Sequence, residues 1–325
     1  MIQAKEKKTK VSILLCILIF IVAFIGGILS KQIQPKELKE LNKYDESKIG
    51  EIKKDIAYDS GEANKFDLYL PKDSTKESYG LVVYLHAGGF TTGDKQDDVE
   101  MLKWLCARGY VAVGINYTLR NETNEKSVYT QSIEIKEAIP KVIEEAEKLG
   151  YKIDKMAMSG GSAGGALALI YAYRDKAEAP VPVKMVFEGV GPSSFYPEDW
   201  DCYGLDKEGE EVRKAASGLF GVMLGKEIPI DMFGTKEYDE FTKDISALYW
   251  VDENTVPTVL AYGKYDKVQS YKASVRLDKK LTEYNVPHEY IVFEHSGHGL
   301  QNDNKQSIEY MKKIIEYLDK YMPVE

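Results

Sequence analysis

The stretch "MSGGSAGGALALIYAY" at residues 158–173 places one serine among glycines where a short apolar strand gives way to a helix-like run. Gly160, Ser162 and Gly164 fit the G-x-S-x-G pattern, in which a sharp strand-to-helix turn exposes the serine oxygen and leaves no room for neighbouring side chains. A phosphate-binding loop is the bland alternative, but no G-K-[ST] follows and no G-x-G-x-x-G is present in this stretch. A serine hydroxyl needs a base to take its proton and an acid to orient that base. The sequence offers four histidines: His86, His288, His295 and His298. A base on a loop beyond the last strand leaves His295 and His298, both in "FEHSGHGL". His298, flanked by Gly297 and Gly299, has the freer backbone and is the first candidate, with His295 the second. The acid expected after an intervening strand is Asp266, at the end of "TVLAYGKYD"; Asp252 and Glu253 precede that strand and fall at its wrong end. Acyl attack also needs donors for an oxyanion. "HAGGF", directly after "LVVYLH", supplies glycines whose amides can turn inward, and the Ala163 amide follows the serine. His86 reads as a brace for that loop.

These residues need a scaffold, and the hydropathy pattern provides one. "LVVYLH" and "VAVGINY" are nearly continuous apolar runs, as strands buried on both faces should be. "KFDLYLP", with Phe66, Leu68 and Leu70 on one face, reads as an antiparallel edge strand. The stretch "DVEMLKWLCARG" spaces its apolar residues as a helix ending at Gly109. The alternation continues through "SIEIKEAIPKVIEEAEKLG", "KMAMS", "VKMVFEGV", "TVLAYG", "HEYIVFEH" and "SIEYMKKIIEYLDKYM". Strands alternating with helices predict an α/β fold with a mostly parallel sheet covered on both faces.

Together "YLHAGGFTTGDK", "GGSAGG", "GKYD" and "SGHGL" resemble the bacterial esterases of the α/β-hydrolase superfamily related to hormone-sensitive lipase and to the feruloyl and acetyl esterases. The similarity runs over residues 55–322, and the order serine, aspartate, histidine is the superfamily's. The resemblance implies the α/β-hydrolase fold, with Ser162 as nucleophile, His298 as base, Asp266 as its orienting acid, and Gly88, Gly89 and Ala163 as oxyanion donors. It implies carboxylic esters as substrates, with no metal or organic cofactor. Two positions depart from the pattern: Ala87 replaces the first glycine of the usual H-G-G-G, and a strand that often ends D-Y-R reads "NYTLR", with Asn116 and Thr118. An amidase or peptidase, such as an aryl-formamidase, would use the same machinery, and a non-catalytic binding protein of this fold is the reading from a different class.

Composition narrows the partners. The 325 residues carry a net charge of −9, although four lysines crowd the first ten positions, so the body is acidic and ill suited to nucleic acid. Cys16, Cys106 and Cys202 show neither zinc-ligand spacing nor a disulfide framework, and Cys106 reads as core. Residues 11–29, "VSILLCILIFIVAFIGGIL", are uncharged and long enough to span a bilayer, which predicts a transmembrane anchor. The lysines before it favour a cytoplasmic tail over residues 1–10 and a hydrolase domain facing outward; a cleaved signal peptide with secretion is the alternative. Residues 30–54 read as a stalk, and residues 55–325 as the hydrolase domain. Residues 194–249 make a long connection mixing acidic residues with "GLFGVML", and read as a lid governing substrate choice.

Overall fold

A computed structural model describes residues 34–324; the expected membrane span at 11–29 lies outside the described residues. Among those described, no helix is long and apolar enough to cross a membrane.

The described chain builds an eight-stranded sheet from β1 (Ile49–Ala57), β2 (Lys65–Pro71), β3 (Tyr79–Leu85), β4 (Val111–Ile115), β5 (Ile153–Gly161), β6 (Val183–Gly189), β7 (Thr258–Gly263) and β8 (His288–Phe293). Their order is β1-β2-β4-β3-β5-β6-β7-β8. The pairings that join β2 to β1 and to β4 are antiparallel, and those from β4 through β8 are parallel. This is the α/β arrangement predicted from the alternating pattern. The helices are α1 (Lys36–Asn42), α2 (Val99–Ala107), α3 (Val128–Lys148), α4 (Ala163–Ile170), α5 (Glu210–Leu224), α6 (Lys236–Thr242), α7 (Tyr271–Glu283) and α8 (Asn304–Tyr321).

Two cores form because the central strands are apolar on both faces. Val83, Leu85, Met158 and Leu260 pack on the side of α3, α4 and α7, while Val82, Ala157, Phe187 and Val259 pack on the side of α2 and α8. A valine, leucine, methionine or phenylalanine side chain so withdrawn from water contributes about 1.5–3 kcal/mol. The α3 helix begins four residues before the apolar run that announced it, because Ser127 and Thr130 cap it reciprocally: the Thr130 amide donates to Ser127 Oγ at 3.2 Å and the Ser127 amide to Thr130 Oγ1 at 2.8 Å.

Two expectations are corrected at the N-terminal edge. Of the stalk expected over residues 30–54, residues 36–54 are folded onto the domain. The α1 helix packs against α8, buries Leu38, and receives the Trp104 indole N–H on the Leu41 carbonyl at 2.8 Å. In turn β1 pairs with β2, so "KFDLYLP" lies one strand in from the edge. The pattern concealed β1 because Ile49, Ile52 and Ile56 recur at helical spacing, and two register irregularities divide them between the faces of the sheet, Ile49 and Ile52 on the side of α2 and α8 and Ile56 on the other. Lys95 binds this edge to the loop after β3: its ammonium, 2% exposed, lies 2.8 Å from Asp55 and 3.3 Å from the fully buried Asp67.

Residues 194–249 fold as α5, α6 and short 3₁₀ turns over an aromatic cluster of Phe195, Trp200 and Phe220, with ring centroids 5.3–5.7 Å apart. Polar ties fasten this insertion to the body. Arg276 of α7 donates to both oxygens of Asp199 at 2.5 and 2.9 Å, and the Tyr203 hydroxyl donates to the Val268 carbonyl at 2.9 Å.

Candidate active site

Ser162 stands between β5 and α4 with φ 53° and ψ −119°, a conformation that a side-chain-bearing residue rarely adopts. Its surroundings hold it there. The Ser162 amide donates to the Gly189 carbonyl at 2.7 Å, and its carbonyl accepts the Ala166 amide at 3.0 Å to start α4. The glycines of the motif have unequal roles. A Cβ on Gly160 would lie 2.4 Å from the Gly164 carbonyl carbon, and one on Gly164 only 1.9 Å from the Leu85 oxygen, whereas one on Gly161 would meet nothing within 4 Å. The outer two glycines are therefore fixed by close backbone packing, and the middle one is not.

The structure brings His298 and Asp266 to this serine. His298 Nε2 lies 2.8 Å from Ser162 Oγ, and its Nδ1 lies 2.7 Å from Asp266 Oδ2. With a carboxylate accepting at Nδ1, that nitrogen carries the hydrogen and Nε2 presents its lone pair to the serine hydroxyl. The Asp266 side chain is fully buried, and its other oxygen accepts the amides of Val268 at 2.8 Å and Gln269 at 3.1 Å. Gly263 allows the loops of acid and base to meet, since a Cβ there would lie 2.2 Å from the Gly297 oxygen.

The other two histidines beyond the serine are occupied elsewhere. His295 is exposed and its Nδ1 pairs with Asp303 at 2.7 Å; the same Asp303 accepts the Ser296 hydroxyl at 2.6 Å, fixing the foot of the loop that carries His298. His288 bridges the Val286 carbonyl and Asp278.

The glycine loop after β3 abuts the start of α4, with the His86 oxygen 2.7 Å from where a Gly164 Cβ would sit. Gly88 and Gly89 adopt φ 125° and 59°, and a Cβ at Gly88 would collide with the Thr92 backbone at 2.0 Å. His86 is buried, donates from Nδ1 to the Ala87 carbonyl at 2.7 Å and stacks on Tyr117 at 4.3 Å between centroids. Burial pushes its imidazole below the ordinary value, against the opposing pull of the Ala87 carbonyl. Ala87, in place of a glycine, thus supplies the brace through its backbone.

Sequence reasoning did not anticipate several supports. Gln131 of α3 donates to the carbonyls of both Phe90 and Thr118 at 2.9 Å, and the Arg120 amide donates to Phe90 at 3.0 Å. Asn116, the other departure, accepts the Lys95 amide at 2.6 Å and donates to Asp94 at 2.7 Å, so the amide locks the turn after the glycine loop. Among the described residues no cluster of histidine, cysteine and carboxylate side chains could hold a metal.

The profile of the BD-FAE family matches residues 66–281, about two thirds of the chain and every element that bears Ser162, Asp266 and the glycine loop. The chain belongs to the BD-FAE family. Among curated proteins no match is found. Solved structures share the fold of this BD-FAE chain at low identity. A truncated carbohydrate esterase from gut microbiota superposes with a TM-score of 0.66 at 18% identity, over 86% of this chain and 98% of that one. For an inhibited esterase B from Lactobacillus rhamnosis the values are 0.61, 15%, 93% and 97%. For the propionate-bound esterase Est2 from Thermogutta terrifontis they are 0.62, 19%, 86% and 97%. His298 lies beyond the matched BD-FAE segment, and its place beside Ser162 rests on the structure alone.

Proposed function

We propose that the protein hydrolyses carboxylic esters through an acyl-enzyme formed on Ser162. The observation that carries this reading is the unbroken hydrogen-bond chain from Asp266 through His298 to Ser162, at 2.7 and 2.8 Å, on a strained turn. Family membership and the named esterases that share the fold support it. Ser162 Oγ attacks the ester carbonyl while His298 Nε2 takes its proton. Asp266, buried and held by two amides, stabilises the imidazolium. The amides of Gly88, Gly89 and Ala163 donate to the oxyanion. His298 then gives its proton to the departing alcohol, and a water activated by the same nitrogen releases the acid. Loss of one oxyanion donor typically costs about 10²- to 10³-fold in rate.

In this reading the 194–249 insertion is the lid that selects the substrate. An apolar lid suits acyl or aryl esters. The 11–29 segment anchors the protein in the membrane with the hydrolase domain outside. The test of function is a panel of p-nitrophenyl esters of rising chain length run beside the matching anilides. Ester turnover with little anilide turnover is the expected result, and anilide turnover of comparable rate would make the protein an amidase.

A further inference from the structure

One ionisable side chain beneath the serine has no part in the chemistry just described. Glu188, in β6, is fully withdrawn from solvent. Its Oε2 accepts the Gly191 amide at 2.8 Å, while Oε1 has no partner. The carboxyl fills a slot made for it: a Cβ on Gly165 would lie 2.6 Å, and one on Gly191 2.8 Å, from Oε2. Gly165 is on the first turn of α4, three residues from Ser162, so the acid is wedged between the nucleophile's helix and the chain leaving β6.

That exit is a tight turn with consequences for the serine. Gly189 gives its carbonyl to the Ser162 amide at 2.7 Å, Val190 is held at φ 53° with its amide on the Ala261 carbonyl at 2.9 Å, and Gly191 gives its amide to Glu188. The Gly191 carbonyl is fixed in turn by the Tyr262 hydroxyl at 2.6 Å. We propose that Glu188 is a positioning residue for the nucleophile: its carboxyl clamps the turn after β6, and the turn holds the strained Ser162 backbone in register with His298. The proposal rests on the reading of Ser162 as nucleophile.

The clamp works as a neutral acid. Burial pushes the Glu188 carboxyl up to about 8, against the pull of Tyr262 and the Gly191 amide. The titratable groups that sense it are phenols: Tyr262 of β7 and Tyr173 in the π turn that follows α4, and, from the opposite side of the sheet, Tyr84 of β3 and Tyr310 of α8. No cation is among the groups that act on it. Ionisation therefore places an uncompensated charge under the turn, and activity should fall as pH rises through about 8.

The test uses the full chain, with steady-state hydrolysis of p-nitrophenyl butyrate and the rate of fluorophosphonate labelling from pH 6 to 10. Glu188→Leu should lower kcat about tenfold or more with KM changed less than about twofold, as misplacement of reacting groups does. Glu188→Gln, which keeps an acceptor for Gly191, should recover kcat to within about threefold of wild type at pH 7 and lose the alkaline fall. A Glu188→Leu kcat within twofold of wild type, or an alkaline fall unchanged in Glu188→Gln, overturns the positioning role. If the leucine variant does not fold, the comparison of wild type with Glu188→Gln decides alone. A wild type that neither turns over ester nor labels overturns the hydrolase reading itself, and the positioning role falls with it. The two failures are thus distinguishable.

Discussion

Ser162 owes its reach to the backbone strain imposed by its neighbours, and single substitutions should reveal which neighbours matter. Ser162→Ala should fold normally yet lose fluorophosphonate labelling and lower ester turnover by more than about 10⁴-fold, because nucleophile and base act as one unit. Persistent labelling of the folded variant would move the nucleophile elsewhere. For the base, His298→Ala should lose nearly all activity and His295→Ala should keep most of it, since the first contacts Ser162 and the second is exposed on Asp303. Kinetics of the two proteins on one ester settle the matter. Gly164→Ala, with its Cβ 1.9 Å from the Leu85 oxygen, should misfold or lose activity, whereas Gly161→Ala, with nothing within 4 Å, should stay folded; circular dichroism and expression yield compare them. At this scale much was legible. The structure brings the motif serine, Ser162, together with His298 and Asp266, and leaves His295 on Asp303. Glu188, Gln131 and Asp303 were not legible, because a buried carboxyl or amide on a strand or helix looks in sequence like any solvent-facing polar residue, and only the fold reveals which backbone group each one meets.

At the scale of elements, the corrected N-terminal boundary carries the sharpest prediction. A protein beginning at Gln34 should be soluble and folded. One beginning at Tyr58 should aggregate, because β2, nearly all buried, would become an open edge. Size-exclusion chromatography of the two truncations reads the result, and a soluble monodisperse short form would return residues 30–54 to the role of a stalk. Lys95 tests the same edge from within: Lys95→Met leaves the buried Asp67 without its cation and should lower stability by about 3 kcal/mol, measured by urea unfolding. The central strands were readable because a strand buried on both faces is a plain apolar run. The β1 strand escaped because its irregularities shift the isoleucines from a period of two, and residues 194–249 resisted because Phe195 and Trp200 lie beside short 3₁₀ turns ahead of α5 and follow no helical or strand period.

For the whole molecule, the titration of Glu188 links stability to pH. Its carboxyl ionises at ordinary values in the unfolded chain but near 8 in the folded one. The folded state thus holds the extra proton between those values, and stability relative to Glu188→Gln should decline as pH rises through that window and level off above about 8. Thermal midpoints of both proteins across pH 5–9 would show the divergence, and parallel curves would mean that the carboxyl ionises without consequence for folding. The anchor proposed for residues 11–29 predicts retention in membranes through carbonate washing, with the hydrolase domain digested by protease added to intact cells; a mature form starting near Ser30 in the medium would identify a cleaved signal instead. Such tethering gives the irregular outer strand a further meaning. Molecules confined to a surface meet side by side at high local concentration, where a straight, uncharged sheet edge would recruit its neighbour. On β1, Glu51, Lys53, Lys54 and Asp55 interrupt the outer margin and the register shifts twice. The features that hid this strand from pattern reading should also make it a poor template for another copy, so that crowding on a membrane need not become polymerisation.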